Sequence, residues 1–94
     1  MITTAIVETA FGPSYVKRLC RHFAHKIPAS VSGRTGTIEF PFGVCRIDVD
    51  DNEMRIQVDI EDAENMDKAE QVIADHLLRM ANRDTPVVTW RRGT

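Results

Sequence analysis

Between Leu19 and Lys26 the sequence reads LCRHFAHK, which places a thiol, two imidazoles and two cationic side chains within eight residues. Such a set could ligate a metal, supply a nucleophile and its base, or hold an anion. The flanking residues repeat with helical spacing, so geometry separates these chemistries. At about 100° per residue, Cys20 stands about 160° from His22 and about 140° from His25. A C-x-H-x-x-H ligand set on one regular helix is therefore excluded. His22 and His25 share a face, but zinc takes at least three protein ligands and this helix holds no Asp or Glu. A metal site at His22 and His25 would need a third ligand from elsewhere, and His76 is the candidate. Cys20 and Cys45 both fall on apolar faces and read as small core residues.

Arg18, Arg21, His22 and His25 stand at i, i+3, i+4 and i+7, and Lys26 adjoins them. Like charges at this spacing repel by a few tenths of a kcal/mol per pair. Their counter-charge must come from outside the helix. Two sources stay open at this point: acids or water within the same fold, or an external anion on Arg18, Arg21, His22, His25 and Lys26. His76 falls between Ile73 and Met80 on the apolar stripe of a second helix. It reads either as a hydrogen-bonded core histidine or, if the helices pack side by side, as a seam residue near His22 or Tyr15. Burial there would hold it neutral and make His22 and His76 candidate catalytic groups. No Ser-His-Asp order, nucleophile elbow or paired-carboxylate motif is identified, and Gly33-Arg34-Thr35-Gly36 reads as a hairpin turn rather than a phosphate loop.

The elements that must position these residues follow from periodicity. Thr3 to Thr9 alternates and reads as a first strand. Gly12 and Pro13 open a helix that the pattern carries to about Ile27, before Pro28. Val16, Leu19, Cys20, Phe23 and Ile27 form its apolar face, with Tyr15 at the edge. Ala29 to Ser32 reads as a short strand, and Thr37–Phe40, Val44–Asp50 and Met54–Ile60 as three more with clear alternation. Their inward set is Ile38, Phe40, Cys45, Ile47, Val49, Met54, Ile56, Val58 and Ile60. Arg46, Asp48, Arg55, Gln57 and Asp59 point the other way, as on the solvated face of an antiparallel sheet. A second helix is expected from near Ala63 to about Asn82, with Glu64 and Lys68 as an i,i+4 pair. Val87 to Trp90 reads as an edge strand, and Arg91 to Thr94 as a frayed tail.

The chain has 94 residues, 43% of them hydrophobic, enough for one core and too few for two. The fold class that fits is α+β: a two-layer sandwich with two helices on one face of an antiparallel sheet, as a single domain over 1–94. Net charge is −2, but Asp48 to Asp75 carries eleven acids against Arg55 and Lys68, a balance of 2 − 11 = −9. Tyr15 to Ile27 holds Lys17, Arg18, Arg21 and Lys26 with no acid, so the surface should be polarised unless folding brings the two regions together. No face combines a broad basic surface with exposed aromatics, which argues against nucleic acid as a partner. No signal-like or membrane-spanning run is present, so a cytoplasmic location with reduced thiols and no membrane partner is expected.

Tyr15, Leu19-Cys20, His22-Phe23, His25-Lys26, His76-Leu77, Arg79, Ala81 and Trp90 together resemble a family of small bacterial domains of unknown function, number twenty-two eighteen in its series. In that pattern an Arg often precedes the Tyr, where this chain has Ser14. The resemblance implies a stand-alone α+β protein of about this length, sometimes associated with iron or siderophore genes. Some members carry an aldolase label, yet neither a Schiff-base lysine nor a metal site is evident here. The function expected is a binding or accessory module without a cofactor, engaging an anionic small molecule or an acidic protein surface. The alternatives are a metal- or histidine-dependent enzyme using His22, His25 and His76, and a salt-sensitive homodimer.

Overall fold

The computed structural model describes residues 1–93. Its elements are β1 (Ile2–Glu8), α1 (Gly12–Phe23), β2 (Ala29–Ser32), β3 (Thr35–Phe40), β4 (Gly43–Val49), β5 (Glu53–Ile60), a 3₁₀ turn at Ala63–Asn65, α2 (Met66–Met80) and β6 (Trp90–Gly93). The strands form one sheet in the order β2-β3-β4-β5-β1-β6, and every neighbouring pair is antiparallel. This is the expected α+β fold.

Alternation dictates the layers. Ala5, Val7, Ile38, Cys45, Ile47, Met54, Ile56, Val58 and Ile60 are buried beneath the helices, while Arg46, Arg55, Gln57 and Asp59 face solvent on the other side. The helices complete the core with Tyr15, Val16, Leu19, Cys20 and Phe23 from α1 and Met66, Ala69, Ile73 and Leu77 from α2. Gly36 of β3 sets how close α1 sits. A Cβ there would lie 2.7 Å from Val16 Cγ2 and 2.8 Å from Cys20 Sγ. The β2–β3 hairpin turns on Gly33-Arg34, and Gly33 at φ +59 supplies the left-handed position that such two-residue turns need.

Four sequence expectations shift. First, α1 ends at Phe23, and Ala24 to Lys26 form a turn held by backbone bonds to Cys20, His22 and Phe23. Pro28 keeps Ile27 out of helical geometry, and the last turn unwinds ahead of it. Second, α2 proper covers Met66–Met80, with the Ala63–Asn65 segment as a separate 3₁₀ turn capped by Asp62, whose carboxylate accepts from Glu64 N–H at 3.0 Å. Glu64 thus lies outside the helix, and no Glu64–Lys68 ion pair forms among the described residues.

Third, the last strand is Trp90–Gly93 rather than Val87–Trp90. Val87 is 75% exposed, while Arg91 and Arg92, expected to fray, pair with Thr4 and Thr3 of β1. The register puts Arg92 on the helix side, where it donates to Glu70 at 2.8 and 3.0 Å and to Asp67. Thr94 lies outside the described residues. Fourth, Tyr15 is fully buried instead of lying at the edge of its helix face.

Candidate functional site

The polar face of α1 is built by subtraction. Once Tyr15, Val16, Leu19, Cys20 and Phe23 are committed to the core, Lys17, Arg18, Arg21 and His22 are left exposed, and the following turn adds exposed His25 and Lys26. His25 is therefore a turn residue, yet it still joins Arg18, Arg21, His22 and Met80 around a shallow groove of about 260 Å³.

The acids of the fold do not neutralise this face. Among the described residues the ion pairs are Arg34–Asp51 at 3.0 Å, Arg46–Asp48 at 3.2 Å, the N-terminal ammonium with Asp59 at 3.6 Å, and Arg92 with Asp67 and Glu70. None involves Lys17, Arg18, Arg21 or Lys26. On the solvent face of the sheet, Asp48 stands opposite Arg55 in register but pairs with Arg46 of its own strand. Arg46, with help from the Thr35 hydroxyl at 2.9 Å, holds its carboxyl below the usual carboxylate range. Asp48, Asp51, Asp59, Asp67 and Glu70 of the acidic stretch thus pair with cations outside α1, and among the described residues Lys17, Arg18, Arg21 and Lys26 have no acid within 4.0 Å.

The helix seam brings two of the three histidines together. The His22 and His76 rings have centroids 5.1 Å apart, and Phe23 touches both, at 5.4 and 4.8 Å. Phe40 meets Phe23 edge-on at 4.9 Å and stacks on Phe42 at 4.8 Å, so the seam ends on an aromatic ladder. His76 is half-buried, and its Nδ1 lies 2.6 Å from the Val72 carbonyl oxygen. A carbonyl only accepts, so Nδ1 carries the hydrogen and Nε2 is left free. Of the two neighbours expected for His76, the fold selects His22; Tyr15 lies elsewhere, bound to Asp84. Among the described residues no three His, Cys, Asp or Glu side chains are placed to hold a metal ion.

Cys20 and Cys45 lie in the core, at 2% and 0% exposure. Burial pushes both thiols up, Cys45 to about 12. Neither offers a thiolate to the basic face.

Sequence reasoning missed two polar clasps. The Tyr15 hydroxyl donates to Asp84 Oδ1 at 2.5 Å and accepts from the backbone N–H groups of Arg83 and Asp84, both at 3.2 Å. Thr9 donates its hydroxyl to the other Asp84 oxygen at 2.6 Å, and Arg83 lies over the Phe11 ring at 5.7 Å. These contacts tie the segment after α2 to the start of α1. In the other clasp the buried Thr3 hydroxyl donates to Glu70 at 2.6 Å beside Arg92. Alternation from Trp90 would have put Arg92 on the inner face, but nothing local announces its acids. Asp84 has no sequence signal beyond lying two residues before a proline.

The chemistry of such a face suits anions. Arginine forks match carboxylate or phosphate oxygens, and Lys17, Arg18, Arg21, His22, His25 and Lys26 themselves include no hydroxyl or thiol side chain. Among the described residues no helix is long and apolar enough to cross a membrane.

Comparison with known proteins places the chain in context. A family model described as an uncharacterized protein conserved in bacteria, DUF2218, matches residues 4–91. The fold is similar to the NMR structure of PA4090 from Pseudomonas aeruginosa, with a TM-score of 0.78 at 29% sequence identity, covering 96% of this chain and 94% of that one. No curated protein matches.

Proposed function

This chain belongs to the DUF2218 family, and we propose that it is a binding module that engages an acidic protein surface or an anionic ligand through the basic face of α1. One observation supports the reading above all. Arg18, Arg21, His22, His25 and Lys26 are exposed, and among the described residues no carboxylate lies within 4.0 Å of them. Repulsion along the helix costs a few tenths of a kcal/mol per pair, and among the described residues no carboxylate is paired with these cations to offset it. An external anion would. The iron or siderophore context implied by the family resemblance agrees with this reading so far as a carboxylate-bearing chelator is an anion of the right kind.

Binding of a fluorescein-labelled poly-L-glutamate peptide, followed by anisotropy at low and high salt, tests the reading. The wild-type chain should bind and weaken as salt screens the contact. Arg18→Glu with Arg21→Glu should abolish binding while the circular dichroism stays native. Undiminished binding by the folded double variant would overturn the assignment, and a variant that unfolds would make the stripe structural.

A second reading, an enzyme or metal protein, draws on the His22–His76 pair and the free Nε2 of His76. Equilibrium dialysis against zinc and ferrous iron tests it, with His76→Ala as control. Stoichiometric uptake lost in the variant would favour it; no uptake would remove it.

A further inference from the structure

On the opposite flank of α1 a second groove, of about 430 Å³, opens between the helix and strand β2. Lys17, Cys20, Arg21 and Ala24 form its helical wall, and Ala29 and Val31 its strand wall. No acid lines it.

Among the described residues strand β2 ends the sheet, with β3 on one side and no strand on the other. The Pro28 carbonyl accepts from Glu39 N–H at 2.9 Å, which marks one hydrogen-bonded position of the β2–β3 ladder. Such positions alternate in an antiparallel pair, so Ser30 with Thr37 and Ser32 with Thr35 are the next two. Ala29 and Val31 therefore turn their N–H and C=O groups away from β3. Proteins usually guard such an edge with charge, proline or a bulge. The other edge strand, β6, carries Arg91 and Arg92; β2 reads ASVS and carries no charge at all.

We infer that α1 and β2 form a docking groove for an extended, acidic segment of a partner protein, which adds to the sheet beside β2. The inference rests on the basic-face reading above and gives it a binding mode. Main-chain pairing with Ala29 and Val31 supplies the register, and alternate side chains of the segment face the helix. There, acidic residues meet Lys17 and Arg21, and a small apolar residue covers Cys20 and Ala24. Charge decides between occupants. A second copy added through its own β2 would set its Lys17 and Arg21 against the first pair, whereas an acidic segment relieves both.

The probe is a labelled peptide of alternating Glu and Val, compared with the same sequence N-methylated throughout, which keeps the charge and loses every backbone donor. Both are titrated into the full chain, with amide shifts and hydrogen exchange read at Ala29 and Val31. The parent peptide should bind, slow exchange at those two amides, and weaken roughly tenfold or more on N-methylation. Val31→Pro removes one outward N–H at an edge position that tolerates proline, and should weaken binding similarly. If it does not fold, the N-methylated peptide decides alone. Equal, salt-sensitive binding of both peptides would overturn strand addition and leave the basic-face reading standing. No binding of either at low salt would overturn both. Sedimentation as a dimer, with Ala29 and Val31 protected before any peptide is added, would show a second copy on the edge and overturn the acidic partner.

Discussion

Tyr15 and Asp84, 69 residues apart in sequence, share a hydrogen bond of 2.5 Å that closes the segment after α2 onto the first turn of α1. The tyrosine is wholly buried and serves one carboxylate oxygen and two backbone N–H groups at once. Its loss takes a donor from the Asp84 carboxylate and an acceptor from two backbone N–H groups. Tyr15→Phe should cost about 1.5–3 kcal/mol in urea unfolding, the range for losing a hydrogen bond to a charged group. A loss below the error of the measurement would mean that the clasp opens freely in solution.

The same hydroxyl sets an alkaline limit. Burial first, then the hydrogen bond to Asp84, raises its ionisation above the usual tyrosine range. In the unfolded chain the proton leaves near pH 10, while the folded hydroxyl keeps it. Unfolding then releases a proton, so stability falls as pH climbs from about 10 through the folded value. Tyr15→Phe should flatten that limb in a pH series of unfolding midpoints.

Glu70 governs the acid side. The Arg92 hydrogen bonds first, and the Thr3 hydroxyl second, hold its carboxyl below the usual range. Its contribution is present above about pH 4.3 and is lost as pH falls through the folded value. Glu70→Gln keeps an acceptor for Thr3 and should flatten the acid limb. Glu70→Ala strands the buried Thr3 hydroxyl and should cost about 1–3 kcal/mol at neutral pH. Hydrogen exchange along Trp90–Gly93 should quicken in the alanine variant, because Arg92 loses its best-shielded partner.

Gly36→Ala tests how tightly α1 is seated. The new methyl would meet Val16 and Cys20 well inside ordinary contact, and β3 is too embedded to retreat. Overpacking of this kind costs about 1–3 kcal/mol. A stable variant with unchanged amide shifts in α1 would contradict the close approach.

The two thiols should ignore Ellman's reagent in the native chain and react only as it unfolds. Both are buried and ionise above their ordinary range. Labelling of Cys20 faster than global unfolding would show that the α1–β2 groove opens down to its floor.

Much of the architecture was legible because one face of the sheet is dry. Ile47, Ile56 and Val58 alternate with Asp48, Gln57 and Asp59, and a one-residue slip would invert every one of them. The helix stripes were readable for the same reason, down to Cys20 dropping out of the polar cluster. Long-range partners were not legible. Val87-Val88-Thr89 carries the stronger local strand preference, yet the strand forms where Arg92 can reach Glu70 and Asp67 across 22 and 25 residues. Asp84 is likewise defined by Tyr15 and Thr9, and local pattern holds no trace of either. Whether the Arg18–Arg21 stripe found acids within the fold was open in sequence, and tertiary placement of Asp48 to Asp75 answered it.

The strand order also fixes a timetable. β1 is made first, yet its neighbours are β5, where Glu8 meets Glu53, and β6, where Ile2 meets Gly93. On the ribosome the earliest strand must wait through α1 and the whole β2–β5 meander before its first partner is synthesised, and through α2 for its second. Closing such distant pairs slows folding. A newborn chain halted before Trp90 would leave one side of β1 bare, so the strand that precedes the other five in the sequence is the one whose second neighbour arrives last.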